Sequence, residues 1–208
     1  MRRALAAGAA LLLTLALSAC DDDDREEARS AGGEVVAQSS VAVDTPELQD
    51  LRSQTGMGDC EPGPGGGALP ELTLPCLGGG TAVDLASLKG PMVLNFWASW
   101  CTECSVEMPA LEGFYQEHGE QVPVLGVDWQ DTYPASALAQ VTKRGVTYPS
   151  VADPGGETSQ FAEFAKMPGM PMTFFLDEDG KIAYVQAGGL DSAEQIADLV
   201  REHLGVAL

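Results

Sequence analysis

An apolar run leads directly into a Cys-x-x-Cys pair in the stretch Leu94-Asn95-Phe96-Trp97-Ala98-Ser99-Trp100-Cys101-Thr102-Glu103-Cys104. The run predicts a buried strand, and the first cysteine falls where a helix is expected to begin. Backbone N–H groups at a helix start favour negative charge, so Cys101 is expected to hold thiolate character more readily than an ordinary cysteine. This arrangement is typical of a redox dithiol.

A Cys-x-x-Cys pair also occurs in structural zinc sites, which need two further Cys or His ligands in paired spacing. His118 and His203 each stand alone in the sequence, and Cys60 and Cys76 are far apart. No metal site is therefore expected.

The stretch from Asn95 to Cys104 resembles the thioredoxin superfamily, in which a strand delivers a Trp-Cys-x-x-Cys sequence onto the first turn of a long helix. Two further features match that family. Pro109 follows the cysteine pair within the predicted helix, and Met170-Pro171 stands directly before the strand-like residues Thr173-Phe174-Phe175-Leu176. The resemblance extends from Ala68 to Leu208.

Strand and helix patterns alternate along this part of the chain. The predicted elements are a first extended segment over Ala68–Leu77, the strands Met92–Ala98 and Val122–Val127, the helices Cys101–His118, Pro134–Arg144 and Asp191–Leu204, and a hairpin of Met172–Leu176 with Lys181–Gln186. The alternation predicts an α/β fold, with a central mixed β-sheet flanked by helices on both faces. By resemblance this is a thioredoxin-like fold of the TlpA-like or ResA-like branch, with an N-terminal extension.

Composition divides the chain into four predicted segments: a lipoprotein signal peptide over residues 1–19, an acidic flexible spacer over 20–44, a short helix with a Gly/Pro loop over 45–67, and the thioredoxin-like domain over 68–208. Thr45 can cap a helix that begins at Pro46. The acidic block that follows Cys20 cannot bury enough apolar surface to fold, although a metal-binding tail is the alternative for such a composition.

The N-terminus carries the pattern of a secretory signal. The basic residues Arg2 and Arg3 precede an apolar run that is too short to span a bilayer comfortably. Leu17-Ser18-Ala19-Cys20 resembles the bacterial lipobox, which implies a lipid on Cys20 and anchoring to the bacterial cell membrane. The alternative is ordinary secretion, with Cys20 as an unpaired thiol. Either interpretation predicts an extracytoplasmic location.

The chain is strongly acidic, with 31 Asp and Glu residues against 11 Lys and Arg, and a net charge of −20. Such a charge repels phosphate backbones and anionic lipid head groups. Nucleic acid is therefore not expected as a partner. A monomer is expected.

The resemblance assigns roles to the motif residues. Thiol–disulfide exchange needs a thiolate that attacks and a second thiol that resolves the mixed disulfide. By resemblance Cys101 attacks and Cys104 resolves, with no cofactor beyond the dithiol. Trp100, Met170 and Pro171 are implied in substrate binding, because the family holds a cis-proline opposite the cysteines and pairs the preceding backbone with an extended substrate. A plain turn at Pro171 is the alternative.

The proton acceptor for the resolving thiol is left open by the sequence. Thioredoxins carry a buried Asp at the position of Asn95, and Asn cannot act as a base. Glu107 matches a Glu that lies beside the cysteines in ResA-like proteins, and its spacing from Cys104 puts both on one helix face. Glu107 is either this acceptor or a solvated acidic residue that the helix dipole stabilises.

Cys60 and Cys76 remain once Cys20 is assigned to the lipid and two cysteines to the dithiol. Outside the cytosol an even number of remaining cysteines usually forms disulfides, so a structural Cys60–Cys76 disulfide is expected, with two free thiols as the alternative.

The resemblance identifies the chain as an extracytoplasmic protein disulfide oxidoreductase, an enzyme whose partners are proteins with cysteines or disulfides. A reductant is expected, for example in cytochrome c maturation, with a membrane-embedded thiol reductase as electron donor. Like charge around the dithiol disfavours the thiolate, and this favours a reducing couple.

Three alternatives accompany this prediction. One is a disulfide-forming oxidant. A second is a copper- or haem-handling chaperone of thioredoxin fold, for which Met108 and Met170 are the candidate ligands. A peroxide-reducing enzyme is disfavoured, because peroxiredoxins attack from a Thr-x-x-Cys context and this chain has Thr102-Glu103-Cys104.

Overall fold

The computed structural model describes residues 39–208, so the predicted signal peptide, Cys20 and most of the predicted spacer lie outside the described residues. Within this range the elements are α1 (Pro46–Ser53), β1 (Thr73–Leu74), β2 (Val83–Asp84), β3 (Met92–Trp97), α2 (Thr102–His118), β4 (Val124–Trp129), α3 (Pro134–Arg144), β5 (Ser150–Asp153), β6 (Met172–Leu176), β7 (Ile182–Ala187) and α4 (Ala193–Leu204). The longest helix, α2, has 17 residues. No helix in residues 39–208 has the length and apolar character needed to cross a bilayer.

The central sheet has five strands in the order β5-β4-β3-β6-β7. β3 runs parallel to β4 and β4 parallel to β5, whereas β6 is antiparallel to both β3 and β7. All six residues of β3 are buried, as expected for a central strand covered on both faces. The predicted mixed sheet and thioredoxin-like fold are confirmed, and the cysteine pair follows the middle strand.

Two hydrophobic clusters fill the two faces of the sheet. The α-helices α2, α3 and α4 contribute to the same cluster. Crossovers between neighbouring parallel strands are right-handed, so two crossovers that step in the same direction place their helices on the same side. The other face is covered by the hairpin β1–β2, the 3₁₀ helix Leu85–Ser87 and the segment around Phe164, which follows a second 3₁₀ helix over Glu157–Gln160. Helices were expected on both faces, whereas the described α-helices pack on one face and the helical cover of the other consists of short 3₁₀ turns.

The N-terminal extension packs onto this domain. The Thr45 hydroxyl caps α1 by accepting from the Leu48 amide at 3.3 Å. Packing begins before this cap, since Val43 is buried and its carbonyl accepts from Gly78 N at 3.0 Å. The last residues of the predicted flexible spacer thus pack against the domain.

The predicted Cys60–Cys76 disulfide is present, with both residues buried. The backbone of Cys76 forms an isolated antiparallel β-bridge with Val151 of β5. The disulfide thus joins the extension to the part of the chain that borders the outer strand of the sheet.

Two local predictions differ from the structure. Only Thr73–Leu74 is a strand within the extended segment expected over residues 68–77, and β5 was not predicted. All four residues of β5 are buried, so its sequence shows no alternation by which a strand could be recognised.

Candidate active site at the Cys101–Cys104 dithiol

The cysteine pair lies at the junction of β3 and α2. Cys101 is the N-cap residue of α2, and its Sγ accepts from the Cys104 backbone amide at 3.1 Å. The two sulfurs are joined in a disulfide with an S–S distance of 2.04 Å. Cys101 is 7% exposed and Cys104 is 0% exposed, so Cys101 is the more accessible of the pair.

The segment before β6 lies next to this junction. Met172 of β6 pairs with Phe96 of β3, so Pro171 continues alongside the end of β3. The Met170–Pro171 peptide bond is cis. Met170 is partly buried against both hydrophobic clusters, and within residues 39–208 its backbone makes no hydrogen bond.

Large apolar side chains are exposed around the dithiol. Trp100 is 56% exposed, and its Nε1 donates to the carbonyl of Gln130 in the loop that follows β4. Val106 on α2 and Tyr133 before α3 are exposed as well. The elements that carry and flank the cysteines thus present an apolar surface to solvent.

Glu107 lies in the second turn of α2 and is buried, with 2% exposure. Asn95 Nδ2 donates to its Oε1 at 2.9 Å, and the Leu190 amide donates to its Oε2 at 3.1 Å. Burial raises the pKa of Glu107 to about 7, and the two hydrogen bonds only partly oppose that shift. A solvated acidic residue does not fit this environment.

Asn95 connects Glu107 to the neighbouring strand. Its Nδ2 also donates to Thr173 Oγ1 at 3.0 Å. Sequence reasoning treated Asn95 only as the loss of an acid, whereas the structure shows it as a hydrogen-bond donor to the acid that lies on the helix.

Sequence reasoning missed two buried acids, Asp128 and Asp131, at the end of β4. Asp131 Oδ2 accepts from the Ser99 amide at 2.7 Å, directly before the Trp-Cys-x-x-Cys sequence. The available signal was an Asp at the carboxyl end of a buried parallel strand, where open α/β sheets place functional groups.

Among residues 39–208, no group of three or more His, Cys, Asp and Glu side chains could hold a metal ion. Met108 is fully buried. His203 stacks on Tyr184, away from the cysteines in sequence and on α4.

The chain is similar to known proteins with thiol–disulfide names. A DsbE thiol:disulfide interchange protein from Allochromatium vinosum is 35% identical over 118 residues, which cover 54% of this chain and 61% of that protein. A ResA thiol-disulfide oxidoreductase from Oceanobacillus iheyensis is 32% identical over 113 residues, which cover 53% of this chain and 56% of that protein. The chain thus spans less than two thirds of the length of these relatives.

Among solved structures, a secreted thiol-disulfide isomerase from Corynebacterium glutamicum superposes with a TM-score of 0.55 and 28% identity, covering 62% of this chain and 81% of that one. The model of the AhpC/TSA family matches residues 66–185. These residues include the cysteine pair, the cis-proline and most of the sheet. Because this match takes in more than half of the sequence, the chain belongs to the AhpC/TSA family, and its thioredoxin-like resemblance is confirmed.

Proposed function

We propose that the protein is an extracytoplasmic thiol–disulfide oxidoreductase of the DsbE/ResA type that reduces disulfides in protein substrates. The observation that carries this proposal is the difference between Cys101, which is 7% exposed, and the fully buried Cys104, on the helix that also carries the buried Glu107. That asymmetry suits a dithiol in which one sulfur attacks and the other releases the product.

In the first step, the Cys101 thiolate attacks one sulfur of a substrate disulfide. The substrate S–S bond breaks as the Cys101–substrate bond forms, and the second substrate sulfur leaves as a thiolate that takes up a proton. Cys101 caps α2, so its sulfur faces the backbone N–H groups at the helix start, which favour the attacking anion.

In the second step, Cys104 loses its proton and attacks Cys101 in the mixed disulfide. The substrate leaves as a dithiol, and the Cys101–Cys104 disulfide forms, so two electrons have passed to the substrate. We assign Glu107 as the acceptor of the Cys104 proton. A pKa of about 7 suits it to take up and release a proton near neutral pH.

Substrate binding is assigned to Trp100, Met170 and Pro171. Trp100 is exposed beside Cys101, and the unpaired backbone of Met170 is available to an extended substrate segment. Main-chain pairing with an extended peptide gives affinity without demanding one substrate sequence. This suits an enzyme that acts on cysteines in proteins.

The proposed direction rests on charge. The interior of the pair contains the exposed Glu103, Glu107 lies one turn further along α2, and the whole chain carries a net charge of −20. Like charge disfavours the Cys101 thiolate, and a less stabilised thiolate makes the couple more reducing. The substrates would then include the haem-binding cysteines in cytochrome c maturation, with a membrane-embedded thiol reductase as electron donor.

The proposed location outside the cytoplasm is supported by the secreted Corynebacterium glutamicum isomerase and by the buried Cys60–Cys76 disulfide. We retain the lipid anchor on Cys20, the four-segment organisation of the chain and the monomeric state as proposals that rest on the sequence.

The roles of the two cysteines are tested by comparing Cys101→Ser and Cys104→Ser with the wild-type protein. Reduced wild-type protein should reduce a model protein disulfide such as that of insulin. Cys101→Ser should have no such activity, whereas Cys104→Ser should accumulate a mixed disulfide visible on a non-reducing gel. Reduction by Cys101→Ser at the wild-type rate would contradict the proposed function.

A further inference from the structure

The loop between β4 and α3 holds the chain that enters the dithiol. Asp131 in this loop is 1% exposed. Its Oδ2 accepts from Ser99 N at 2.7 Å, and its Oδ1 accepts from Tyr133 N at 2.9 Å. Both oxygens of one buried carboxylate are thus used, one within its own loop and one on the residue that precedes Trp100-Cys101.

The same loop also holds Trp100. The indole Nε1 donates to the Gln130 carbonyl at 3.2 Å, and the Gln130 amide in turn donates to Asp153 O at 2.9 Å. Gln130 adopts a φ of 51°, which is uncommon for a residue other than glycine. Ser99 and Trp100 are therefore hydrogen-bonded to two consecutive residues of this loop, Asp131 and Gln130. Asp131 makes its contact through its side chain, whereas Gln130 uses its backbone carbonyl.

A second buried acid lies beside Asp131. Asp128, at the end of β4, pairs in register with Trp97 of β3 and is 1% exposed. Burial, followed by the proximity of Asp131, raises the pKa of Asp128 well above its usual range. Burial and the neighbouring Asp131 therefore both disfavour a negative charge on Asp128. The carboxylate of Asp153 on β5 instead accepts hydrogen bonds from the Glu157 and Thr158 amides.

The Asp131 charge lies close enough to act on Cys101. Ser99 is two residues before Cys101, and two residues of chain span at most about 7 Å. Because Asp131 is buried, solvent ions screen its charge poorly. At an effective dielectric constant of about 20, two charges about 10 Å apart still change an equilibrium constant by about tenfold.

We propose that Asp131 is a positioning residue for the dithiol: it fixes the Ser99–Trp100 segment and, through its buried negative charge, disfavours the reduced form of the Cys101–Cys104 pair. The inference rests on the proposed thiol–disulfide exchange. It assigns the reducing character of the couple to a specific buried group rather than to the acidity of the whole chain.

The experiment equilibrates the purified protein with dithiothreitol redox buffers and counts thiols by alkylation and mass. Asp131→Asn removes the charge but keeps an oxygen that can accept from Ser99 N. The equilibrium constant for reduction of the Cys101–Cys104 disulfide should rise by between about threefold and tenfold. Glu178→Gln, an exposed site in the β6–β7 turn, makes the same charge change as a control and should leave the constant unaltered.

Two further variants separate charge from position. Asp131→Ala removes both the negative charge and the hydrogen-bond acceptor for Ser99 N, so it should shift the equilibrium constant and also change the fluorescence of Trp100. Asp131→Asn should leave that fluorescence unchanged. Asp131→Ser is a second neutral variant that provides the equilibrium test if the Asn variant does not fold. An equilibrium constant for the neutral variants equal to that of Glu178→Gln would overturn the role of Asp131. A wild-type dithiol that does not exchange with dithiothreitol would instead contradict the proposed function.

Discussion

Asn95 Nδ2 lies 2.9 Å from Glu107 Oε1, and this contact joins the central strand to the helix that carries the resolving cysteine. At the strand position where thioredoxins carry a buried acid, this chain has an amide that donates to an acid on the helix. In the proposed mechanism the proton acceptor therefore lies on α2 instead of β3.

Glu107→Gln should slow the release of a mixed disulfide from Cys101. A carboxylate must be ionised to accept the Cys104 proton, so the wild-type release rate should rise through a pH of about 7. In the variant this inflection should disappear, and the rate at neutral pH should fall by about a hundredfold. Stopped-flow measurement of glutathione release from pH 5 to 9 tests this.

Glu103→Gln serves as the matched control, because Glu103 carries the same charge in the first turn of α2 but is exposed. It should keep the inflection. A Glu107→Gln profile identical to that of Glu103→Gln would exclude Glu107 as the proton acceptor.

Glu107 should also make the oxidised protein less stable as pH rises. Its pKa is raised from 4.5 to about 7, so the folded state binds more protons than the unfolded state between these values. The free energy of unfolding should therefore fall as pH rises through this window, by up to about 3 kcal/mol. Urea unfolding at pH 5 and pH 8 should show this loss in wild type and a smaller loss in Glu107→Gln. An equal loss in both would contradict the environment described for Glu107.

Asn95→Asp should shift the pH dependence upward. A second carboxyl group next to Glu107 replaces a hydrogen-bond donor by a like charge, and both changes raise the pKa of Glu107. The inflection in the release rate should then lie above its wild-type position in the same stopped-flow assay. An inflection that stays in place or moves to lower pH would show that Asn95 does not tune Glu107.

Replacing Cys60 and Cys76 together by Ala should lower the free energy of unfolding while leaving the dithiol active. The bond spans 16 residues of sequence, and closing a loop of about 15 residues is worth about 3 kcal/mol in the chain-entropy model. Both residues are buried, so mild dithiothreitol should reduce Cys101–Cys104 first. Urea unfolding and mass mapping after non-reducing digestion check both points; free thiols at both positions in the untreated protein would refute the bond.

The sequence predicted elements whose signals are local. α3 begins at Pro134 and ends before Gly145, which adopts the left-handed conformation, so both ends are marked by residues with restricted or permissive backbones. The cysteine pair and the cis-proline were likewise recognised from short motifs.

The parts of the site that the sequence missed or left open depend on contacts between distant segments. Asp131 and Ser99 are 32 residues apart in sequence, and Glu107 is buried because α2 packs on β3 and the Leu190 region closes over it. Helix periodicity did not indicate the burial of Glu107, since an acid in the first turns of a helix is ordinarily solvated. The register of β3 against β4 had to be known before these groups could be placed together.

The reduction potential of the Cys101/Cys104 couple tests the central claim most directly. Equilibration with glutathione and dithiothreitol buffers, followed by alkylation of free thiols, measures it in the wild-type protein. The proposed reductant requires a value near or below about −250 mV, in the range of thioredoxin rather than of the strongest oxidants. A value near about −120 mV would place the protein among disulfide-forming oxidants and contradict the account.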